Sequence, residues 1–274
     1  MAIILFSFIS GFILSWVTIY FSGLAALSPW FYALLPLIGI IYGGTIVSFL
    51  WGGFLLFSLP YKKVKCTGKG NMFFQRISYY FTKMLLTLSW SRLKYHNLRK
   101  IPKHEPCLYI FNHTSFVDCW MLIATIHPHR FSIVALNKMK EVPLMGNLAT
   151  ALGCIFIDKD DPNSSIKMID TAVDYIKNQN TSIAISPEGK VNREKNILSF
   201  KNGPFTIAKR SNCPIVLLDF KGIKELDLRK NVFQKVQLET SVIDVIYPET
   251  YNDMSTKQLA EYCQNIYQDY LGEK

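Results

Sequence analysis

Between Met1 and Tyr61 there is not one Asp, Glu, Lys or Arg, and this uncharged start constrains the chain more than any other feature. A stretch of that length without charge is built for lipid, since a soluble surface needs ionised side chains. Residues 1–21 form an apolar run that spans a hydrocarbon core of roughly 30 Å at about 1.5 Å per residue. After a turn at 23–29, residues 30–59 form a second run, interrupted by Pro36, Gly39, Gly43, Gly44, Gly52 and Gly53. Such residues bend helices and permit close helix contact, so this run either crosses the bilayer or dips into one leaflet and returns. The expectation is a membrane hairpin with Trp30, Phe31, Tyr32 and Trp51 at the interface. The start lacks a basic n-region and a good cleavage site, so the segment is expected to stay uncleaved. Lys62, Lys63 and Lys65 follow at once, which places this end, and with two spans the N-terminus, in the cytoplasm.

The whole formal charge of +10 therefore sits beyond the hairpin, and the first acidic residue is Glu105. Within the acid-free, basic segment 62–104, Phe73, Ile77, Tyr80, Phe81, Met84, Leu85 and Leu88 recur at helical spacing. This describes an amphipathic helix, lying either on an anionic membrane face or on the catalytic core. A basic run abutting an apolar hairpin fits anionic lipid better than nucleic acid. The cysteines, Cys66, Cys107, Cys119, Cys154, Cys213 and Cys263, are scattered, which suits reduced thiols and supports neither a disulfide framework nor a metal site.

From Pro106 onward the texture is that of an α/β domain, short apolar strands alternating with helical patterns. The strands are expected at 107–111, 131–136, 154–157, 182–186 and 215–220. A helix is expected over 163–177, with Asn163 and Ser164 as capping candidates. Ser255 and Gln258 resemble a capping box that opens a helix running towards Tyr270. The layout is thus a hairpin (1–61), a basic membrane-proximal segment (62–104) and an α/β catalytic domain (105–274), a sheet flanked by helices.

Three strand ends carry chemistry. Asn112, His113 and Asp118 lie where the first of these strands gives way to a helix, the edge at which open α/β sheets place ligands. An imidazole held by a carboxylate is a general base. A His and an Asp at this spacing also arise by chance, with Asn112 and Asp118 as helix caps. Gly153 to Lys159 leads a strand into the charged pair Asp158–Lys159, and Ser186, Pro187, Glu188, Gly189 and Lys190 form a polar turn after another. Taken singly each is ordinary punctuation. Together they bring a His, an Asp, a Glu, two Lys and a Gly to successive strand ends, where they can converge.

At these residues the chain resembles the glycerolipid acyltransferases of the 1-acylglycerol-3-phosphate acyltransferase type. Asn112, His113 and Asp118 match the first motif of that family. Gly153, Phe156, Ile157 and Asp158 match the second, with Lys159 in place of Arg, and Ser186-Pro187-Glu188-Gly189-Lys190-Val191 corresponds to the third, Phe-Pro-Glu-Gly-Thr-Arg. Pro214-Ile215-Val216 matches the fourth, residues 199–205 are similar to the family's Pro-Phe-Lys-Lys-Gly-Ala-Phe, and residues 141–146 resemble the helix start ahead of the second motif. The resemblance implies catalysis by His113 and Asp118. It implies acceptor or phosphate contacts from Lys159, Glu188, Gly189, Lys190 and Arg193, and support from Asn112, Gly153, Phe156, Pro187 and Pro214. It implies acyl-CoA or acyl carrier protein as donor, a lysophospholipid acceptor, membrane lipids as partners, and no cofactor or metal. Val191 stands where the family's phosphate-holding Arg would be, so a lysophospholipid with another head group is an alternative acceptor. A lipid-binding protein of the same fold without turnover is a further alternative.

Overall fold

The computed structural model describes the chain except residues 1, 24–28, 58, 61–69, 89–90, 116, 127–129, 143–144, 193–196, 224–235 and 273–274. It divides into two compact units, Met1–Pro60 and Tyr61–Lys274.

The first unit pairs α1 (Ala2–Phe21) with α2 (Leu35–Phe57), which follows a 3-10 turn at Pro29–Leu34. Pro36 falls in the first turn of α2, where a missing N–H costs nothing, so the second run is one helix and not a broken one. The seam between the helices uses Gly11, Ser15 and Ile19 against Leu35, Gly39 and Gly43, all buried and spaced four apart. A methyl on Gly11 would stand 2.6 Å from both the Gly39 carbonyl oxygen and the Gly43 nitrogen, which is the close backbone approach that small residues allow between apolar helices. The 18-residue stretch Tyr32–Phe49 is long and apolar enough to cross a bilayer.

The second unit is built on a seven-stranded sheet in the order β1-β7-β6-β2-β5-β3-β4. The strands are β1 (Arg92–His96), β2 (Leu108–Phe111), β3 (Phe131–Leu136), β4 (Ile155–Ile157), β5 (Ser182–Ile185), β6 (Ile215–Lys221) and β7 (Gln237–Ile246). All neighbouring pairs are parallel except β6 and β7. The central strands are buried on both faces and so read as continuous apolar runs. In β2, Tyr109 and Phe111 enter one core, with Met121 and Leu122 of α4 (Val117–Ile126) and Leu86 of α3 (Met72–Leu88). Leu108 and Ile110 enter the other core, with α6 (Pro162–Gln179), α7 (Asn202–Ser211) and α9 (Thr256–Gly272). Two short helices, α5 (Met145–Ala151) and α8 (Pro248–Tyr251), complete the unit.

Several expectations change here. The five expected strands are present within a residue at each end, but β1 and β7 escaped the sequence reading. β1 is an edge strand of charged residues with alternating exposure, a pattern that blunts an edge and hides it. Through α3 and β1, the segment 62–104 belongs to the same unit as the α/β domain. Lys62, Lys63, Lys65 and Lys69 lie outside the described residues.

The buried face of α3 is Phe74, Gln75, Ser78, Thr82, Met84 and Leu86; of the apolar stripe Met84 is buried, Ile77 and Phe81 are half-buried, and Phe73 and Tyr80 are exposed. Gln75 Nε2 accounts for the polar part of this face: it donates to the carbonyls of Phe131 and Leu152 at 3.0 and 3.2 Å. Helix α6 is capped by Asp161, whose carboxylate accepts from the Asn163 N–H, and not by Asn163 or Ser164. Ser164 instead accepts from the Asp158 N–H at 2.8 Å and ties the end of β4 to the helix. The box of Ser255 and Gln258 forms as expected, with reciprocal bonds of 2.8 and 3.2 Å.

Candidate active site

β2 ends at Phe111 and the next turn carries Asn112 and His113 to the carboxyl edge of the sheet. Asp118 stands in the first turn of α4, fully buried. Its carboxylate is held entirely by donors: the Thr114 N–H at 2.6 Å, the Ser115 N–H at 2.8 Å and the Thr114 hydroxyl at 3.2 Å. His113 Nδ1 lies 2.9 Å from the same Oδ2 that accepts the two backbone bonds. An acceptor on that side requires Nδ1 to carry the proton, which leaves Nε2 as the basic nitrogen. The cap reading also holds, since Asp118 accepts from the Ser115 N–H at 2.8 Å while Ser115 Oγ accepts from the Val117 N–H at 3.3 Å, as in a capping box. Asp118 organises its loop and fixes one tautomer of the histidine at the same time.

The histidine backbone is also fixed. Its carbonyl accepts from the Asn192 N–H at 2.6 Å, which joins the first motif to the loop after Glu188. Asn112 Oδ1 lies 2.9 Å from the hydroxyl of Tyr267, which is itself 2.7 Å from the Leu218 carbonyl. One phenol proton cannot serve both acceptors. The network closes when the Asn112 amide turns to donate to the phenol oxygen, which then donates to Leu218. Tyr267 is completely buried on α9, and burial pushes its phenol well above the usual range, keeping it a donor.

His113 opens onto a pocket of about 410 Å³. Its walls are largely aliphatic, among them Ile133, Leu136, Ile157, Met168, Ile169 and Ile185, while Lys159, Lys190 and Lys201 supply positive charge. An elongated apolar group and an anion therefore suit the same cavity. Cys119 also lines it, but burial, with the charge of Asp118 adding, pushes this thiol up to about 12, so it offers no thiolate nucleophile at neutral pH. Among the described residues no cluster of His, Cys, Asp and Glu has the geometry of a metal site.

The expected residues divide cleanly. His113, Lys159, Pro187, Gly189 and Lys190 line the pocket, whereas Glu188, Gly153, Phe156, Asn112 and Pro214 do not. Glu188 is 3% exposed and neither carboxylate oxygen makes a hydrogen bond of ordinary geometry. Burial raises its pKa, against the opposing effects of Asn192, the Leu198 backbone and His113. A carboxylate so placed is a poor partner for a phosphate, and Glu188 is not among the residues that line the pocket. Phe156 packs against the core and under Lys140, whose Nζ is 4.6 Å from its ring centre. Pro214 offers its carbonyl to the Leu108 N–H at the start of β2. Arg193 lies outside the described residues. Lys201, Asn192 and Tyr267 were not anticipated as site residues: Lys201 was visible only as part of the motif around residue 200, and Tyr267 reaches Asn112 across 155 residues.

The stretch from β1 into β6, residues 92–218, matches the family model described as Acyltransferase, and this part of the chain is an acyltransferase-type domain. Within that class the particular resemblance is to the 1-acylglycerol-3-phosphate acyltransferases. The chain is 29% identical over 164 residues to the 1-acyl-sn-glycerol-3-phosphate acyltransferase of Limnanthes douglasii, covering 60% of this chain and 57% of that protein. It is 26% identical over 126 residues to the chloroplastic 1-acyl-sn-glycerol-3-phosphate acyltransferase BAT2 of Brassica napus, covering 46% of this chain and 36% of that protein. The chain thus spans between about a third and somewhat over half of these relatives' length. The crystal structure of the 1-acyl-sn-glycerophosphate (LPA) acyltransferase PlsC from Thermotoga maritima superposes with a TM-score of 0.64 at 18% identity, covering 82% of this chain and 88% of that one. This establishes a shared fold.

Proposed function

We propose that the protein is a membrane-bound O-acyltransferase that moves a fatty acyl chain from acyl-CoA or acyl carrier protein to the free hydroxyl of 1-acyl-sn-glycerol 3-phosphate, forming phosphatidic acid. The observation that carries the reading is the His113–Asp118 pair at 2.9 Å, with His113 lining a pocket whose walls are largely aliphatic and carry three lysines. The activity by which the relatives are named supports it.

In this mechanism Nε2 of His113 removes the acceptor's hydroxyl proton as the oxygen attacks the thioester carbonyl. Asp118 stabilises the imidazolium so formed. Backbone N–H groups around Gly189 face the oxyanion. Collapse of the tetrahedral intermediate expels the thiolate, which takes the proton back from His113 and leaves as the free thiol. No acyl-enzyme forms, and the inert Cys119 thiol agrees with that. The hairpin of α1 and α2 anchors the enzyme, with the catalytic unit on the cytoplasmic side, where both donors are found.

The test is product analysis by mass spectrometry. Purified full-length protein in detergent is offered lysophosphatidate and lysophospholipids with other head groups, each with both donors. Preferred formation of phosphatidic acid is expected. Transfer confined to head-group-bearing acceptors would move the reading to those lipids, and no transfer to any acceptor would reject an acyltransferase.

A further inference from the structure

The third motif lacks its arginine, because Val191 occupies that position, and an aliphatic side chain that is 46% exposed cannot hold an anion. The pocket nevertheless has a second cation beside Lys159. Lys201 is the residue that caps α7, and its backbone N–H is fixed to the Pro187 carbonyl at 3.0 Å. The preceding residue is fixed as well, since the Phe200 N–H donates to Gln264 Oε1 of α9 at 2.8 Å. From this anchored base the Lys201 side chain passes over Gly189, so closely that a methyl there would stand 3.0 Å from Nζ. Gly189 has a φ of +70°, a backbone conformation that favours glycine.

Lys159 and Lys201 both line the pocket, and the acid whose charge acts on Lys159 is Asp160, which does not line it. Their proximity is felt electrostatically: the Lys159 ammonium is held below its ordinary pKa by burial and then by the charge of Lys201. Lys190 also lines the pocket, yet the cation that acts on Lys159 is Lys201. Two lysines in the wall of one pocket repel each other alone and are favourable around an anion. The first turn of α7, with Gly203 and Pro204 in the same pocket wall, adds the positive end of a helix.

We propose that Lys201, with Lys159, is the seat of the acceptor's phosphate, and that Lys201 does for this chain what the absent arginine of the third motif would do. The assignment rests on the acceptor carrying a phosphate monoester. Two point charges in the pocket wall hold a dianion without the bidentate fork of an arginine, so the site selects for charge more than for the orientation of the phosphate.

The experiment measures binding separately from turnover. Full-length protein in uncharged detergent is titrated calorimetrically with 1-acyl-2-deoxyglycerol 3-phosphate, which has the phosphate but no attacking hydroxyl, and with the uncharged 1-acylglycerol. Lys201→Gln should weaken the phosphate probe by about tenfold and change the uncharged probe by less than about twofold, and Lys201→Arg should restore most of the loss. The proposal is overturned if Lys201→Gln binds the phosphate probe as the parent does, or if it loses both probes equally. Lysine-dependent binding of the phosphate probe in a protein that transfers nothing to lysophosphatidate would uphold the seat and reject the reaction.

Discussion

Replacing Asp118 with Asn isolates the charge of the carboxylate from its geometry. Oδ2 accepts three N–H groups, from His113, Thr114 and Ser115, while Oδ1 faces only the Thr114 hydroxyl. An amide fits this arrangement in one way. Its oxygen keeps the Oδ2 place, and its NH2 donates to the Thr114 oxygen, which can accept. The histidine tautomer is then preserved, and what disappears is the attraction between carboxylate and imidazolium. For charge centres about 4 Å apart at an effective dielectric of about 20, that attraction is about 4 kcal/mol. At about 1.4 kcal/mol per decade, this is close to a thousandfold in kcat. The assay is initial-rate acyl transfer followed by mass spectrometry, with thermal unfolding in parallel. Asp118→Asn should lose about three decades in kcat with little change in acceptor KM and a melting temperature close to the parent's. Retention of more than about a tenth of the activity would refute the use of this charge in the transition state.

Two further outcomes follow from buried groups that do not line the pocket. Tyr267→Phe removes the hydroxyl that joins Asn112 to Leu218, a loss of about 1 to 2 kcal/mol. It should lower kcat by roughly tenfold at unchanged acceptor KM, and an equal rise in KM would show that the contact serves binding and not the placement of His113. Glu188 has a pKa raised by burial. A raised carboxyl favours the folded state when protonated, and that contribution is lost as pH rises through the folded pKa. Glu188→Gln should therefore melt higher than the parent at neutral pH, with the difference vanishing in acid. A difference that does not depend on pH would contradict the assignment.

The sequence spoke clearly where burial is two-sided. β2, β5 and β6 are apolar runs because both faces of the sheet are covered, so hydropathy alone delimits them. β1 was silent for the opposite reason: its Arg92, Lys94 and His96 face outward at the sheet edge. The face of α3 was legible only in part: Met84 of the apolar stripe is buried, but one long-range glutamine, Gln75, turns inward to donate to the Phe131 and Leu152 carbonyls while Phe73 and Tyr80 stay exposed. The same division holds in the site. His113 and Asp118 were legible because one turn of chain contains their whole interaction. Asn192 contributes a backbone N–H that no side-chain pattern reports, and Tyr267 reaches Asn112 only after the sheet and α9 have folded together. Glu188 was placed by its neighbours in sequence, but unlike Gly189 and Lys190 it does not line the pocket.

The central claim, that His113 is the base for acyl transfer to an alcohol, is tested most directly by His113→Ala. The variant would be purified in detergent from a host lacking its own lysophosphatidate acyltransferase, and phosphatidic acid formation followed with a labelled acyl donor. Turnover lower by about 10² to 10⁴ is predicted, with the melting temperature and membrane insertion near those of the parent, because His113 is partly exposed and Asp118 keeps its three bonds from Thr114 and Ser115. Near-normal transfer by the folded variant would contradict the account.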